Sequence, residues 1–142
     1  MKHMLNETSN LMLVYKNSTA TQAATLDCIA ADYATIIVAL GSAANTNAVG
    51  PSLALQSSDD TVVTNFATVV ANVTQTITNI NLRVYHVDQR AGKRYLRLLV
   101  TPATSTNDPI TGSAVGILSI KEQAPSNTTA MVGSTNDAVT VV

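Results

Sequence analysis

At 142 residues the sequence is long enough for one domain with one hydrophobic core. Charged residues make up only 12% of the chain, the net charge is −1, and there is no Trp and one Phe, so Thr, Ser, Asn and Ala must form most of the surface. Such a chain lacks the basic footprint that nucleic acid or an anionic membrane requires, and its single cysteine excludes a disulfide framework and a zinc site of paired thiolates. A surface poor in Lys and Glu is typical of a protein that packs against other proteins.

The first half of the chain reads as short strands separated by polar turns. Apolar and β-branched runs predict strands at 11–15, 24–29, 33–40 and 52–57. The run 33–40 is apolar on both faces, which is typical of a central strand covered on each side. Gly50-Pro51 is expected to close the preceding loop, since this pair continues neither a helix nor a ladder. Ser58-Asp59-Asp60 predicts a turn whose side chains bond their own backbone.

The middle of the chain holds the clearest strand. Residues 61–80 have apolar residues at helical spacing, yet their many Thr and Val residues favour two short strands. Residues 81–88 alternate, and a turn at 89–92 leads into the apolar run 92–100, so we predict a hairpin with Gly92 in the left-handed conformation. In the returning strand, the side chains expected to face inward are Leu96, Leu98 and Val100.

The remaining segments complete an all-β prediction. A last strand is expected at 114–120, and the apolar end 138–142 would make an edge strand. We predict an all-β, single-domain antiparallel β-sandwich or jelly roll with extended arms. The expected divisions are an N-terminal arm at 1–10, a β-sandwich domain at 11–121 and a C-terminal arm at 122–142. No run of signal-peptide or transmembrane type is visible, so we expect a chain made in the cytoplasm and not exported by a signal that it carries.

Few residues have the spacing that chemistry requires. His86 stands alone on a strand, with no second ligand at metal spacing, and Cys28 fits a small buried apolar residue. Asp59 and Asp60 are adjacent in one turn, so they fit neither a calcium loop nor a carboxylate pair that flanks a bond. We therefore predict no catalytic, cofactor or metal site, no small-molecule substrate and no enzymatic activity.

Positive charge is concentrated in the predicted hairpin. It carries five of the 8 Lys and Arg residues, and four of them are our candidates for a protein contact: Arg83, Arg90, Lys93 and Arg94. With Tyr85 and Tyr95 between them they could form an anionic or nucleic-acid patch. The neutral composition favours the alternative, in which they pair with carboxylates of this chain or of a neighbouring protein.

Three segments together resemble small structural proteins of tailed bacteriophages that are encoded near the major capsid protein, including capsid cement (decoration) proteins. These segments are Asp32–Gly41, Leu53–Asp60 and Gly92–Leu98. The resemblance implies a non-enzymatic virion protein, made in the host bacterial cytoplasm, that binds the outer capsid surface. It implies the major capsid protein as a partner, and we predict self-association as a homotrimer, with a homodimer as the alternative.

Two other functions stay open. A phage tail or baseplate component belongs to the same structural class, and the residues do not separate it from a capsid protein. A carbohydrate-binding or adhesion module also uses a β-sandwich, but sugar stacking requires exposed aromatic rings, and aromatic residues are 4% of this chain.

Overall fold

The structure, a computed structural model, describes residues 7–18, 20–40, 49–76, 81–101, 110–119 and 138–141. Its elements are β1 (Glu7–Ser18), β2 (Gln22–Asp27), β3 (Tyr33–Leu40), β4 (Val49–Ser58), a 3-10 helix (Val63–Asn65), β5 (Ala67–Thr76), β6 (Asn81–Asp88), β7 (Tyr95–Thr101), β8 (Ile110–Ser119) and β9 (Ala138–Val141). The all-β prediction is confirmed. The described residues contain no helix long and apolar enough to cross a membrane.

The strands form two sheets that enclose one core. One sheet has five strands in the order β1-β8-β3-β6-β9, and the other has four in the order β2-β7-β4-β5. All neighbouring strands are antiparallel except β9, which lies parallel to β6 at the edge of the five-stranded sheet. The predicted sandwich is therefore present, with one parallel strand added to it.

The pairing shows which kind of sandwich this is. The first strand pairs with the eighth, the second with the seventh, the third with the sixth and the fourth with the fifth. The first eight strands thus form one long folded hairpin, nested around β4 and β5. Further pairing of β3 with β8 and of β4 with β7 rolls this hairpin into two sheets. This is the connectivity of a jelly roll.

The core lies between the sheets and is aliphatic. Strand alternation places every second residue inward, and Leu96, Leu98 and Val100 of β7 are at most 1% exposed, as predicted. Leu53 and Leu55 of β4, the neighbouring strand of the same sheet, lie beside Val100 and Leu98 and are fully buried. Side chains from four other strands and from the turn after β2 complete the cluster: Leu26, Cys28, Ala34, Ile36, Val38, Tyr85, Val87 and Ala114.

The hairpin predicted for 81–100 is wrong. Strand β6 belongs to the five-stranded sheet and β7 to the four-stranded sheet, so residues 89–94 form an arch from one sheet to the other. The alternating polarity of a strand and the turn residues after it are the same whether the next strand pairs in a hairpin or crosses to the other sheet. Gly92 is not in the left-handed region either. Glycine is favoured there by space, because a Cβ would lie 3.2 Å from the backbone Cα of Gln89 and 3.3 Å from the carbonyl oxygen of Asp88.

Two further predictions need correction. Gly50 and Pro51 lie inside β4 and do not precede it, because a register shift between Val49 and Ser52 accommodates a residue that cannot donate to the ladder. The segment predicted as two short strands begins as a turn of 3-10 helix and continues as the single strand β5. Residues 77–80 of that segment lie outside the described residues.

The predicted C-terminal edge strand is present as β9, whose Ala138 pairs with Arg83 and whose Val141 pairs with His86. Strand β1 begins at Glu7, and the rest of both predicted arms, 1–6, 122–137 and 142, lies outside the described residues. The division into arm, domain and arm at 1–10, 11–121 and 122–142 stays a prediction.

Candidate protein-contact site

Three connections meet at one end of the roll. The register pairs the last residue of β2, Asp27, and the last residue of β4, Ser58, with the first residue of β7, Tyr95. In the other sheet the first residue of β3 pairs with the last residue of β6. The turns after β2, β4 and β6 therefore share this end. We call residues 27–32, 58–66 and 88–94 the tip.

The arch 89–94 lies at the centre of the tip. The backbone N–H of Gln89 donates to the carbonyl of Asp32 at 2.8 Å, and the N–H of Cys28 donates to the carbonyl of Arg94 at 2.8 Å. These two bonds join the arch to the turn between β2 and β3. Because each comes from the backbone, replacing the side chains on the arch leaves them in place.

Ion pairs join the arch to the other two turns. The guanidinium of Arg94 donates from Nε and Nη2 to the two carboxylate oxygens of Asp27, at 3.0 and 2.7 Å. Lys93 Nζ donates to Asp59 Oδ2 at 2.6 Å. The Arg94 guanidinium holds the pKa of Asp27 below its usual value. Two consecutive basic residues thus bridge the arch to the ends of two different strands of the four-stranded sheet.

Arg90 is held within the arch. Its guanidinium pairs with Asp88, lowers the pKa of that carboxyl to about 2, and lies 5.1 Å from the centre of the Tyr33 ring. Tyr33 opens β3 and is 1% exposed, so the cation covers a buried ring at the rim of the sandwich. All three pairs at the tip are largely exposed, so each contributes little to stability by itself.

The structure thus brings together three of the four candidate contact residues, Arg90, Lys93 and Arg94, each opposite a carboxylate of this chain. Arg83 does not join them. It lies five residues before the end of β6, about 17 Å from the tip along the strand. It shares the inward face of β6 with Tyr85 and Val87 and is half-buried.

The turn 58–66, the longest of the tip, is held by Arg97, which was not among the four candidate residues chosen from the sequence. Arg97, on the outer face of β7, is 8% exposed, and its Nε and Nη2 donate to Gln56 Oε1 at 3.0 and 2.6 Å. Nη2 also donates to the carbonyl of Val63 at 3.3 Å, and the guanidinium lies 4.1 Å from the centre of the Phe66 ring. Within the described part of the chain, Arg97 forms no pair with a carboxylate. The only sequence signal was its position between the inward Leu96 and Leu98.

Asp60 holds the same turn from its other side. Its backbone N–H donates to Ser58 Oγ at 3.2 Å, and its carboxylate accepts from the N–H of Val62 and from Asn65 Nδ2, both at 2.8 Å. These bonds lower the pKa of Asp60 and confirm the predicted self-bonded turn. Arg97 and Asp60 together fix the turn 58–66 against the four-stranded sheet.

The thiol of Cys28 and the imidazole of His86 are both buried. Cys28 is buried, as predicted, and burial raises the pKa of its thiol to about 12, so the thiol is a poor nucleophile at neutral pH. His86 is buried on the outer face of β6, where it shares a hydrogen bond with Thr35 Oγ1 at 3.0 Å, and burial lowers its pKa. Across the described residues, no three His, Cys, Asp or Glu side chains are grouped as metal ligands.

Comparison with known proteins adds little to this geometry. No protein-family model matches the chain, and none of the curated proteins is significantly similar to it. The coat protein of Tobacco streak virus, solved as a dimer, matches with a TM-score of 0.29 and 10% identity over 89% of this chain and 95% of that chain. A second crystal form of that coat protein gives a TM-score of 0.28 and 10% identity over 91% of this chain and 96% of that one. Similarity this low carries no inference about what the chain does.

Proposed function

We propose that this chain is a non-enzymatic structural protein of a tailed-phage virion that binds the outer capsid surface and stabilises the assembled shell. The observation that carries the proposal is the tip, where three turns are fixed against one another by short polar contacts on a surface otherwise poor in charge. A fixed surface loses little conformational entropy on association. Jelly rolls recur in viral capsid proteins, which is an analogy of fold alone, and the three phage-like segments agree with it.

The mechanism requires only binding energy. A subunit that attaches to the assembled lattice and not to free capsid protein stabilises the lattice by mass action. Several copies joined to one another strengthen this attachment through avidity. In this proposal the major capsid protein is the partner, the outer shell surface is the location, and the tip with Arg90, Lys93 and Arg94 at its centre is the contact end.

Self-association is a separate part of the proposal, with a homotrimer favoured over a homodimer. Its support is β5, which lies at the edge of the four-stranded sheet and carries no charged residue in its ten positions. Uncharged edge strands lack one of the common devices that prevent pairing with another chain. Light scattering coupled to size-exclusion chromatography gives the mass directly, and a monomer at micromolar concentration would contradict this part alone.

The function is tested by mixing the purified chain with empty shells assembled from the major capsid protein encoded beside it. We expect saturable co-sedimentation with shells, none with unassembled capsid protein, and a higher temperature of shell disruption when the chain is bound. Cryo-electron microscopy of the virion then shows where the chain lies. Density for it in the tail, with none on the shell, would favour the tail or baseplate alternative and overturn the capsid proposal.

A further inference from the structure

The tip exposes aliphatic side chains as well as ion pairs. Four large apolar side chains of the described residues are strongly exposed, and three of them belong to the tip. Ile29 is 63% exposed, Val62 54% and Val63 68%, whereas the fourth, Val69, lies on β5 outside the tip. Single exposed apolar residues are ordinary on a protein surface, but three on the two turns that flank the arch require a reason.

These side chains are displayed by backbone that the rest of the tip holds in place. The Val62 N–H donates to Asp60, the Val63 carbonyl accepts from Arg97, and the Ile29 N–H donates to Asp27 Oδ1 at 3.1 Å. Each polar backbone group is thus bonded to the body of the protein while the aliphatic side chain beside it faces solvent. The residue after Ile29, Ala30, has a φ of 60°, a left-handed conformation that costs an alanine free energy. Strain of this kind persists only where the surrounding contacts impose it.

The charges of the tip indicate what it meets. It contains five carboxylates, on Asp27, Asp32, Asp59, Asp60 and Asp88, and three cations, on Arg90, Lys93 and Arg94. The three cations are paired within the chain, and the buried guanidinium of Arg97 reaches the turn 58–66 from β7, so an excess of one negative charge remains. That sign disfavours nucleic acid and anionic lipid as partners. A second copy of the tip is disfavoured too, because two surfaces with the same excess charge repel each other.

We propose that Ile29, Val62 and Val63 are the side chains by which the tip docks, and that they enter an apolar recess rimmed by Lys or Arg on the partner protein. The basic residues of the arch then act as positioning residues, since their pairs hold the three turns together while the aliphatic side chains make the contact. This inference rests on the proposed function, with the capsid shell as the partner, and identifies which part of the tip touches the shell.

The test measures binding of four forms of the full chain to empty shells of its own major capsid protein at 50 and 500 mM NaCl. The forms are wild type, the double variant Val62→Ser/Val63→Ser, the shape-preserving double variant Val62→Thr/Val63→Thr, and the control Val115→Ser, a half-buried valine of β8 outside both the tip and the edge strand β5. We expect each buried valine to account for about a tenfold change in affinity, so the double serine variant should bind about a hundredfold more weakly. The threonine variant should lose less, the control should bind like wild type, and wild-type affinity should fall at high salt.

The outcomes separate this inference from the function on which it rests. If wild type binds and both double variants bind as tightly as it does, the aliphatic contact is overturned while the capsid function stands. If Val115→Ser weakens binding as much as the double serine variant, the contact lies on the sheet and not at the tip. A wild-type affinity that is equal or higher at 500 mM NaCl overturns the basic rim. If wild type binds no shells, the proposed function fails and this inference fails with it.

Discussion

Arg94 and Leu98 are four residues apart, yet different forces hold them. Leu98 is fully buried among aliphatic side chains from both sheets, and its burial depends on the whole roll being closed. Arg94 is an exposed cation that bonds one carboxylate at the end of a neighbouring strand. The core is held by apolar area removed from water, and the tip is held by directed polar contacts that water competes for.

This difference means that the two regions can be changed separately. Substitutions in the core are expected to alter the free energy of unfolding of the whole domain. Substitutions at the tip are expected to alter the shape of one surface, and through it binding, with a small change in global stability. Arg97 connects the regions, because it lies on the same strand as Leu98 and holds the turn that carries Val62 and Val63.

The largest expected effect is in the core. Leu98→Ala removes a fully buried side chain from the centre of the cluster and should lower the free energy of unfolding by about 2–5 kcal/mol. Urea unfolding followed by circular dichroism measures this change. Leu99→Ala, next to it on the outer face and half-buried, is the matched control and should cost clearly less. Equal losses would contradict the assignment of the inward face of β7.

The next effect joins the two regions. Arg97→Ala leaves Gln56 Oε1 and the Val63 carbonyl without their donor, and should lower the free energy of unfolding by about 1–3 kcal/mol. Amide hydrogen exchange at 61–66 should rise more than exchange in β3. Arg97→Lys keeps the charge but cannot fork two donors or stack flat on Phe66, so it should rescue only part of the loss. Full rescue by lysine would show that charge alone holds this turn.

A smaller effect is confined to the tip. Ala30 is the third residue of a turn closed by the Ala31 N–H donating to the Cys28 carbonyl, the position that favours glycine when φ is positive. Ala30→Gly relieves that strain and should raise the free energy of unfolding by about 0.5–1 kcal/mol, the greater freedom of glycine in the unfolded chain offsetting part of the gain. Thermal melting compares it with Ala91→Gly, an exposed alanine in the arch with negative φ, which should not stabilise. If both variants are less stable than wild type, the backbone at Ala30 is not strained.

The smallest effect is the response of the tip to acid. Pairing with Arg94 and Arg90 lowers the pKa values of Asp27 and Asp88, the latter to about 2 from an unfolded value of 3.8. A lowered folded pKa contributes stability that is present above pH 3.8 and is lost as pH falls toward 2. The melting temperature should therefore fall across this interval, and Asp88→Asn should make the fall shallower. An identical fall in the variant would show that the pair with Arg90 does not contribute.

The strands were predictable because apolar, β-branched or alternating runs of strand length are bounded by polar turn residues. Tyr33–Leu40 and Asn81–Asp88 were placed at their observed bounds, and the inward face of β7 was assigned residue by residue. Which sheet each strand joins was not predictable from these patterns. The turn at 89–94 carries the same signals whether the next strand pairs with β6 or crosses to the other sheet, and only the pairing of β7 with β2 and β4 decides it.

The candidate site was predictable in part for a similar reason. Clustering along the chain pointed to Arg90, Lys93 and Arg94, and pairing with carboxylates of this chain was one of the two alternatives; the partners are Asp88, Asp59 and Asp27. The role of Arg97 depends on Gln56 and Phe66, which reach it from β4 and from the turn after β4. Contacts between distant segments of this kind leave no local pattern. Arg83 was grouped with the others by sequence proximity alone, and the extended strand β6 places it about 17 Å from the tip.

The nested pairing of the strands also implies an order in time. The β4–β5 pair is joined by residues 59–66 alone. Glu7 of β1 pairs with Ser119 of β8, and almost the whole described chain lies between these two residues in the sequence. Each inner pair shortens the loop that the next pair must close, so we expect pairing to proceed outward, with closure of β1 on β8 as the slow step of folding. Ala114→Gly in β8 should then slow refolding in stopped-flow measurements, and an effect on unfolding alone would place closure after the barrier. The tip, which needs only β2 to β7, would be complete while the edge of the five-stranded sheet is still open.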